Sequence, residues 1–284
     1  MSIALLPLNE LSREQREGLD RELAAYYANP PTSYYKIAGQ ALGQYSPDLQ
    51  PFHCDLVNRV AVGHRVLELG CGDAHLCPQI EKKGANYTGL DHSPALLADN
   101  RRRYPGATFL PIDAGVANNF DVVVSLYTIE HVVDPPAYLE RLWDLARPGG
   151  LVAVICPEFI DSKGYAPSIY FGKTPRRLRE KLISGAFADA LAHLIDLCWL
   201  APRWKVRAKT SPPGVFWINA RPSELHGKTH GIDTDAVHLS RLQDLKWWFK
   251  QRDAEVLATS DSLSGVSPSV LNYNCYIVAR KHAR

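Results

Sequence analysis

Residues 63–157 of this 284-residue chain alternate short apolar runs with amphipathic stretches. The runs Arg65–Leu69, Tyr87–Leu90, Thr108–Ile112, Phe120–Ser125 and Leu151–Cys156 read as strands. The continuous apolar character of Phe120–Ser125 marks a strand buried on both faces, as in a parallel sheet. Between the runs, the pattern predicts helices over about Ala74–Lys82, from Ser93 to Arg103, and over Ala137–Ala146. Arg101, Arg102 and Arg103 complement a helix C-terminus and are expected to project into solvent. Asp134-Pro135-Pro136 supplies the proline-led start of the helix that follows it. Upstream, Ser12-Arg13-Glu14-Gln15 is a capping-box start for a helix to Ala28, with Leu11, Leu19, Leu23 and Tyr26 on one face. Asn29-Pro30-Pro31 stops it, and a further helix is expected over Pro51–Arg59. Downstream, Ser240-x-x-Gln243 predicts a capped helix to about Gln251, then strands Glu255–Thr259 and Tyr273–Ala279.

The first of these strands breaks into Glu68-Leu69-Gly70-Cys71-Gly72-Asp73-Ala74-His75. Glycine at 70 and 72 permits backbone angles denied to other residues and removes Cβ atoms that would hold a ligand away. The dinucleotide pattern G-x-G-x-x-G fails at its last position, where His75 stands. Glu68 and Asp73 are anionic and suit a cationic ligand better than a phosphate. Asp91 ends the second strand, where an acidic residue can accept hydrogen bonds from both ribose hydroxyls. A ribose, no phosphate and a positive charge describe S-adenosylmethionine.

Together with Asp113 and Pro148-Gly149-Gly150, these residues resemble the class I S-adenosylmethionine-dependent methyltransferase family, over about Arg65–Pro157 and more weakly from Ser240 onward. The resemblance implies an α/β fold: a Rossmann-like, seven-stranded, mostly parallel sheet with an antiparallel last strand and helices on both faces, plus N-terminal helices and an inserted lid subdomain. It divides the chain into an N-terminal helical cap (1–62), a cofactor-binding core (63–157), an inserted substrate or lid subdomain (158–238) and a C-terminal completion of the core (239–284). The resemblance assigns the cofactor to Glu68, Gly70, Cys71, Gly72, Asp73, Asp91, His92, Asp113, Ala114, Leu126 and His131, and the product is S-adenosylhomocysteine. Asp113 would accept from the adenine amino group, and the Ala114 amide would donate to the ring. Tyr34-Tyr35-Lys36 falls where N-terminal segments of the family close over the cofactor; ordinary packing is the other reading. His131 with Pro148-Gly149-Gly150 resembles the small-molecule branch, which includes quinone and natural-product methyltransferases. His238 resembles a histidine found near the acceptor pocket.

Composition adds limits. A net charge of +2 makes no whole-chain case for nucleic acid, and no apolar run approaches the length of a membrane span. Met1–Leu8 has neither a basic leader nor a cleavage site. Six cysteines without C-x-x-C or zinc spacing fit reduced thiols in the cytoplasm, and Cys71 reads as a small packing residue. His226, His230 and His238 with Asp233 and Asp235 invite a metal, but Gly227 and Gly231 argue against one helix presenting His226 and His230, so no metal is expected.

About eighty residues between Pro157 and Leu239 exceed what the core fold needs, and a connection of that length at the ligand edge is usually functional. Lys163–Lys209 carries ten Lys or Arg against three Asp or Glu. One or two amphipathic helices over Pro175–Leu200 put Leu178, Leu182, Phe187, Leu191, Leu194, Ile195 and Trp199 on apolar positions. Three readings stay open: a lid packed on the core, a membrane-surface helix with Arg176, Arg177, Arg179 and Lys181 on its cationic side, or a site for an anionic acceptor. The aromatic-polar alternation around Phe216 offers Trp217, Asn219 and Arg221 as acceptor contacts, joined by Tyr127 at the fourth strand's edge and by His238.

An oxygen acceptor must lose a proton, and histidine suits that work near neutral pH. His131 is the first candidate base, with a pocket-shaping role as its alternative; His226 and His230 follow. The chain is expected to be a cytoplasmic methyltransferase acting on a small-molecule acceptor, by preference at oxygen: a natural product, sugar or lipid-linked metabolite. Its alternatives are an RNA or protein methyltransferase using the basic insertion, or a non-catalytic methyltransferase-like binding protein. An anionic or lipid-linked acceptor would suit the basic stretch, nucleic acid is not expected as a partner, and the oligomeric state stays open.

Overall fold

The computed structural model describes residues 4–31, 51–226, 231–263, 270 and 273–283. Along the chain the strands are β1 (Leu5–Pro7), β2 (Arg65–Leu69), β3 (Asn86–Asp91), β4 (Thr108–Pro111), β5 (Phe120–Leu126), β6 (Ala146–Pro157), β7 (Trp217–Asn219), β8 (His238–Leu239), β9 (Glu255–Thr259) and β10 (Asn274–Arg280). The helices are α1 (Arg13–Ala28), α2 (Pro51–Asn58), α3 (Cys77–Lys82), α4 (Pro94–Arg103), α5 (Pro135–Leu145), α6 (Leu178–Ile183), α7 (Phe187–Ile195), α8 (Ala201–Thr210) and α9 (Leu242–Lys250). Seven strands form one sheet in the order β4-β3-β2-β5-β6-β10-β9, with β10 antiparallel to both its neighbours.

Residues alternate faces along each strand, and here both faces are covered. Val66, Val122, Val124 and Ile155 share one core with Phe52, Leu56 and Ile80 of α2 and α3. Leu67, Val123 and Val154 point the other way, into a core with Leu139 and Leu142 of α5 and Trp248 and Phe249 of α9. The chain leaves β2 toward β3 on one side and returns as β5 on the other. The crevice beyond the carboxyl ends of β2 and β5 is therefore the topological switch point, where ligands bind in such sheets.

Local caps set most helix starts. Ser12 and Gln15 form the reciprocal capping box of α1, Ser93 accepts from the Leu96 amide, and Asp134 accepts from the Ala137 amide. Two starts differ from the sequence expectation. Ala74 takes a left-handed φ of 58°, so α3 begins at Cys77 rather than Ala74. Ser240 does not cap α9: its hydroxyl donates to the Pro157 carbonyl at 2.5 Å, and the Leu242 amide donates instead to the Glu158 carboxylate at 2.9 Å. Glu158 also accepts from the Asp161 amide at 3.0 Å, so one buried carboxylate ties the end of β6 to the start of α9.

The N-terminal segment and the insertion share a second, three-stranded antiparallel sheet, β1-β7-β8, with Leu5 opposite Asn219 and Trp217 opposite Leu239. Leu11, Leu19 and Leu23 pack there on Val133, Ile218 and Val237, which lays α1 across the site. The helices α6–α8 do form; α8 buries Ala201, Trp204 and Ala208, but α6 and α7 turn Lys181 and Asp189 inward. Lys181 is buried, donating to Asp189 at 2.9 Å and to the Phe171 carbonyl at 2.7 Å, while Leu182, Phe187, Leu191, Leu194, Ile195 and Trp199 are exposed. The apolar stripe over Pro175–Leu200 is therefore not the face by which the insertion packs on the core.

Glu158→Ala leaves the buried Leu242 amide and the Asp161 amide without an acceptor. We expect a loss of roughly 2–4 kcal/mol in stability, read as a lower denaturant midpoint; an unchanged midpoint would show that water replaces the carboxylate.

Candidate functional site

The glycine turn after β2 is held in place by short contacts. Gly70 has φ +79°, and a Cβ there would lie 2.2 Å from Thr128 Cγ2, so any side chain collides with the segment after β5. Thr128 Oγ1 donates to the Gly70 carbonyl at 3.1 Å. The Gly72 amide donates to Asp91 Oδ2 and the Ser93 amide to Asp91 Oδ1, each at 2.8 Å. Both oxygens of Asp91 are thus oriented by main chain, and each keeps lone pairs for a ligand.

A cavity of about 1150 Å³ opens over this turn. Its lining includes Asp20, Glu68, Asp73, Asp91, Asp99, Asp113, Glu130, Glu158, Asp233 and Asp235, with Arg103 and Arg141 as its cations. Glu68 is buried and accepts from the Tyr87 hydroxyl at 2.5 Å. Burial pushes its carboxyl from 4.5 up to about 8; the Tyr87 bond opposes this, while Asp73 and Asp91 add to it. Burial also raises Asp91, against the two amides that lower it. Arg103 is exposed, as expected at a solvated helix end, and its guanidinium also donates to the Asp73 carbonyl at 2.8 Å and pairs with Asp99 at 2.9 Å beside the cavity.

The opposite wall begins where β5 ends. Tyr127 takes φ 49°, an uncommon value for an aromatic residue, and leads into a 3-10 turn over Ile129–His131. His131 Nδ1 lies 3.6 Å from Asp235 Oδ2, and its Nε2 lies 3.8 Å from Glu130 Oε1. The Tyr27 hydroxyl of α1 donates to Asp235 at 2.6 Å, and its ring sits edge-on to His131 at 5.8 Å. Glu130 is fully buried with neither carboxylate oxygen hydrogen-bonded, and burial raises its pKa well above the ordinary range. Burial likewise lifts Asp233 to about 6; His131 opposes this and Asp235 adds to it. Glu130, His131 and Asp233 offer ligand atoms within 4.8 Å of one another, a spacing one divalent cation could bridge. That grouping is not the His226, His230 and His238 set that the sequence spacing suggested.

Of the sequence-predicted residues, Glu68, Gly70, Cys71, Gly72, Asp73, Asp91, His92, Asp113, Leu126, Tyr127 and His131 line this cavity. Ala114 does not, and its amide already donates to the Pro111 carbonyl at 3.0 Å. Trp217 and Asn219 are buried in β7: the indole packs on Trp204, and the amide nitrogen of Asn219 donates to Ser168. Arg221 stacks on Tyr170, with its guanidinium carbon 5.0 Å from the ring centre. His226 is exposed, 6.0 Å from the Tyr170 ring, and is not in the lining. His238 is buried behind the 3-10 turn with Nδ1 3.2 Å from the Ile129 carbonyl, and burial lowers its pKa to about 3. It supports the turn rather than facing the cavity. His230 and Tyr34-Tyr35-Lys36 lie outside the described residues. Sequence reasoning missed Tyr27, gave Glu130 no role of its own and weighed Asp233 and Asp235 only beside a possible metal; the Glu130-His131 pair at a strand's carboxyl end and the Asp233-x-Asp235 spacing were the available signals.

A crevice at the switch point, an aspartate held by main-chain amides at the end of β3 and a glycine turn with acidic flanks are the features of a class I methyltransferase architecture. Comparison with known proteins agrees: the family model of a methyltransferase domain matches residues 45–203, more than half the chain. The chain belongs to this S-adenosylmethionine-dependent methyltransferase family. The ubiquinone biosynthesis O-methyltransferase of Pseudomonas aeruginosa (strain UCBPP-PA14) is 32% identical over 116 residues, covering 37% of this chain and 50% of that protein. The enzyme of the same name from Aromatoleum aromaticum is 33% identical over 116 residues with the same coverage. The chain thus spans about half the length of the curated relatives it matches. Among solved structures, the Burkholderia thailandensis 1,6-didemethyltoxoflavin-N1-methyltransferase superposes with a TM-score of 0.55 at 14% identity, over 98% of this chain and 95% of that one. An S-adenosylmethionine-dependent methyltransferase from Mesorhizobium loti gives 0.53 at 16% identity, over 83% and 100%. At these identities the two show a shared fold.

Glu68 supplies a pH test. Its carboxyl rises from 4.5 to about 8 on folding, so the folded state binds the proton more tightly. This contribution to stability is fully present below pH 4.5 and lost as pH rises through about 8. Glu68→Gln should therefore gain stability relative to the wild type as pH rises across that window, read from denaturant midpoints. A difference that stays constant with pH would mean Glu68 is ionised in the folded protein.

Proposed function

We propose that this protein transfers the methyl group of S-adenosylmethionine to a hydroxyl oxygen of a small-molecule acceptor. The observation that carries the reading is that one cavity joins two kinds of wall: the acidic turn of Glu68, Gly72 and Asp91, and His131 with Asp235 and Glu130. The names of the ubiquinone biosynthesis relatives support oxygen as the acceptor atom.

In this reading Asp91 accepts from the ribose hydroxyls, its oxygens pre-aimed by the Gly72 and Ser93 amides. Asp113 serves the adenine end. Glu68 and Asp73 face the ammonium and sulfonium charges, and a nearby cation returns Glu68 to its ionised form. The cofactor, when bound, supplies an electrophilic methyl on a good leaving group. The protein's own tasks are then to orient the acceptor and remove its proton. His131 takes that proton. Asp235, itself held by Tyr27, lies 3.6 Å from the ring, near enough for its charge to compensate the imidazolium that forms. Among the described residues, ten carboxylic residues against two arginines in the lining favour a neutral acceptor over an anionic one. The excess basic charge of the insertion belongs to another surface.

Transfer from methyl-labelled S-adenosylmethionine to a panel of hydroxylated aromatic acceptors tests this. A carbon-13 signal in the methoxy range is expected; signal only at nitrogen, or in protein or RNA, would contradict it. His131→Ala should lower kcat about a hundredfold while S-adenosylhomocysteine binds as before by calorimetry. Asp91→Ala should weaken that binding about tenfold or more. If His131→Ala instead weakens cofactor binding and keeps kcat at saturation, the histidine shapes the pocket and another group takes the proton.

A further inference from the structure

From Lys181 to Leu200 the insertion keeps its charged groups inside. Asp189 accepts from Lys181 and from the Thr174 hydroxyl, and Asp196 accepts from the Gly172 amide. From Leu182 to Pro202 every Asp, Glu, Lys or Arg is buried, and no exposed residue carries a formal charge. The outer face is instead Ile183 (75% exposed), Phe187 (68%), Leu191 (60%), Trp199 (60%) and their neighbours Leu194 and Ile195. A soluble protein leaves so continuous an apolar face uncovered only where it meets something.

Charge says what. Arg176, Arg177 and Arg179 stand exposed just before this face, and Arg203 and Lys209 just after it. The one exposed carboxylate between Lys173 and Lys209 is Glu180, and it already accepts from the Arg177 amide. A second copy of the chain would bring a second basic rim to the same contact with nothing acidic to meet it. An anionic lipid surface satisfies both parts, because acyl chains accept the apolar face and phosphates meet the arginines. Trp199 sits at the margin with the Arg203 guanidinium stacked 3.5 Å over its ring, an arrangement suited to the headgroup level.

We propose that α6–α8 form a membrane-surface anchor that seats the protein on anionic lipid. The anchor is tied to the cavity wall. Lys181 binds the Phe171 carbonyl, and the Phe171 ring contacts both His193 at 5.5 Å and Tyr165, a lining residue, at 5.7 Å. Seating the helices in the headgroup layer therefore brings the Tyr165 wall to the bilayer, where a lipid-soluble acceptor resides. The anchor itself does not rest on the identity of the acceptor.

Co-sedimentation of the purified chain with vesicles of equimolar phosphatidylglycerol and phosphatidylcholine tests this without cofactor or acceptor. Binding is expected, falling several-fold in high salt and with phosphatidylcholine alone. Phe187→Ser with Leu191→Ser should weaken it about tenfold or more, with the unfolding midpoint unchanged because both side chains are exposed. Arg176→Gln with Arg177→Gln and Arg179→Gln should remove most of the salt dependence. Absence of sedimentation with the anionic vesicles overturns the proposal, as does wild-type binding by the Phe187→Ser, Leu191→Ser protein. A dimer seen by light scattering that this variant dissociates, without vesicle binding, would give the face to a second copy instead.

Discussion

Negative charge gathered at the carboxyl edge of the central strands is the constraint on which the site depends. Glu68, Asp73 and Asp91 crowd one turn, and the fold tolerates them by keeping Glu68 protonated until about pH 8 and by giving Asp91 two main-chain donors. Such a turn is unsuited to a phosphate and complementary to a ligand bearing ammonium and sulfonium charge. The glycines follow from the same demand. At Gly70 the chain must pass within contact of Thr128, and at Gly72 the amide must turn toward Asp91.

The second layer solves a different problem. A Rossmann-like sheet presents a crevice but no roof, and here the roof is made jointly by the N-terminal segment and the insertion, through β1 paired with β7. That pairing carries α1 over the crevice and puts Tyr27 on Asp235, so His131 meets groups from two distant parts of the chain. Glu158, at the end of β6, anchors the far side by holding the start of α9.

What was legible in the sequence was what local physics decides. Ser12, Ser93 and Asp134 cap helices through bonds spanning three residues, and the continuous apolar strands announce a sheet covered on both faces. The turn residues at 68–73 and Asp91 were readable because their spacing is fixed by one strand-turn-helix unit. Ser240 deceived because its competitor for the helix start, Glu158, is 84 residues in sequence from Leu242, whose amide it accepts. Trp217, Asn219 and Arg221 deceived because aromatic-polar alternation also describes a short buried strand, and only the partner β1 decides which it is. The periodicity over 178–199 gave the helices but not the outward face, since Lys181, Asp189 and Asp196 satisfy one another and their neighbours inside. Tyr27 and Asp235, 208 residues apart, could be joined only by the fold.

The central claim is that the acidic turn and the His131 wall are two ends of one reaction cavity. A crystal structure of the protein with S-adenosylhomocysteine tests it most directly. The ribose hydroxyls should lie on Asp91, the amino acid moiety over Gly70–Gly72, and the sulfur should point across the cavity toward His131. A nucleoside bound elsewhere, or a sulfur turned away from His131, would contradict it.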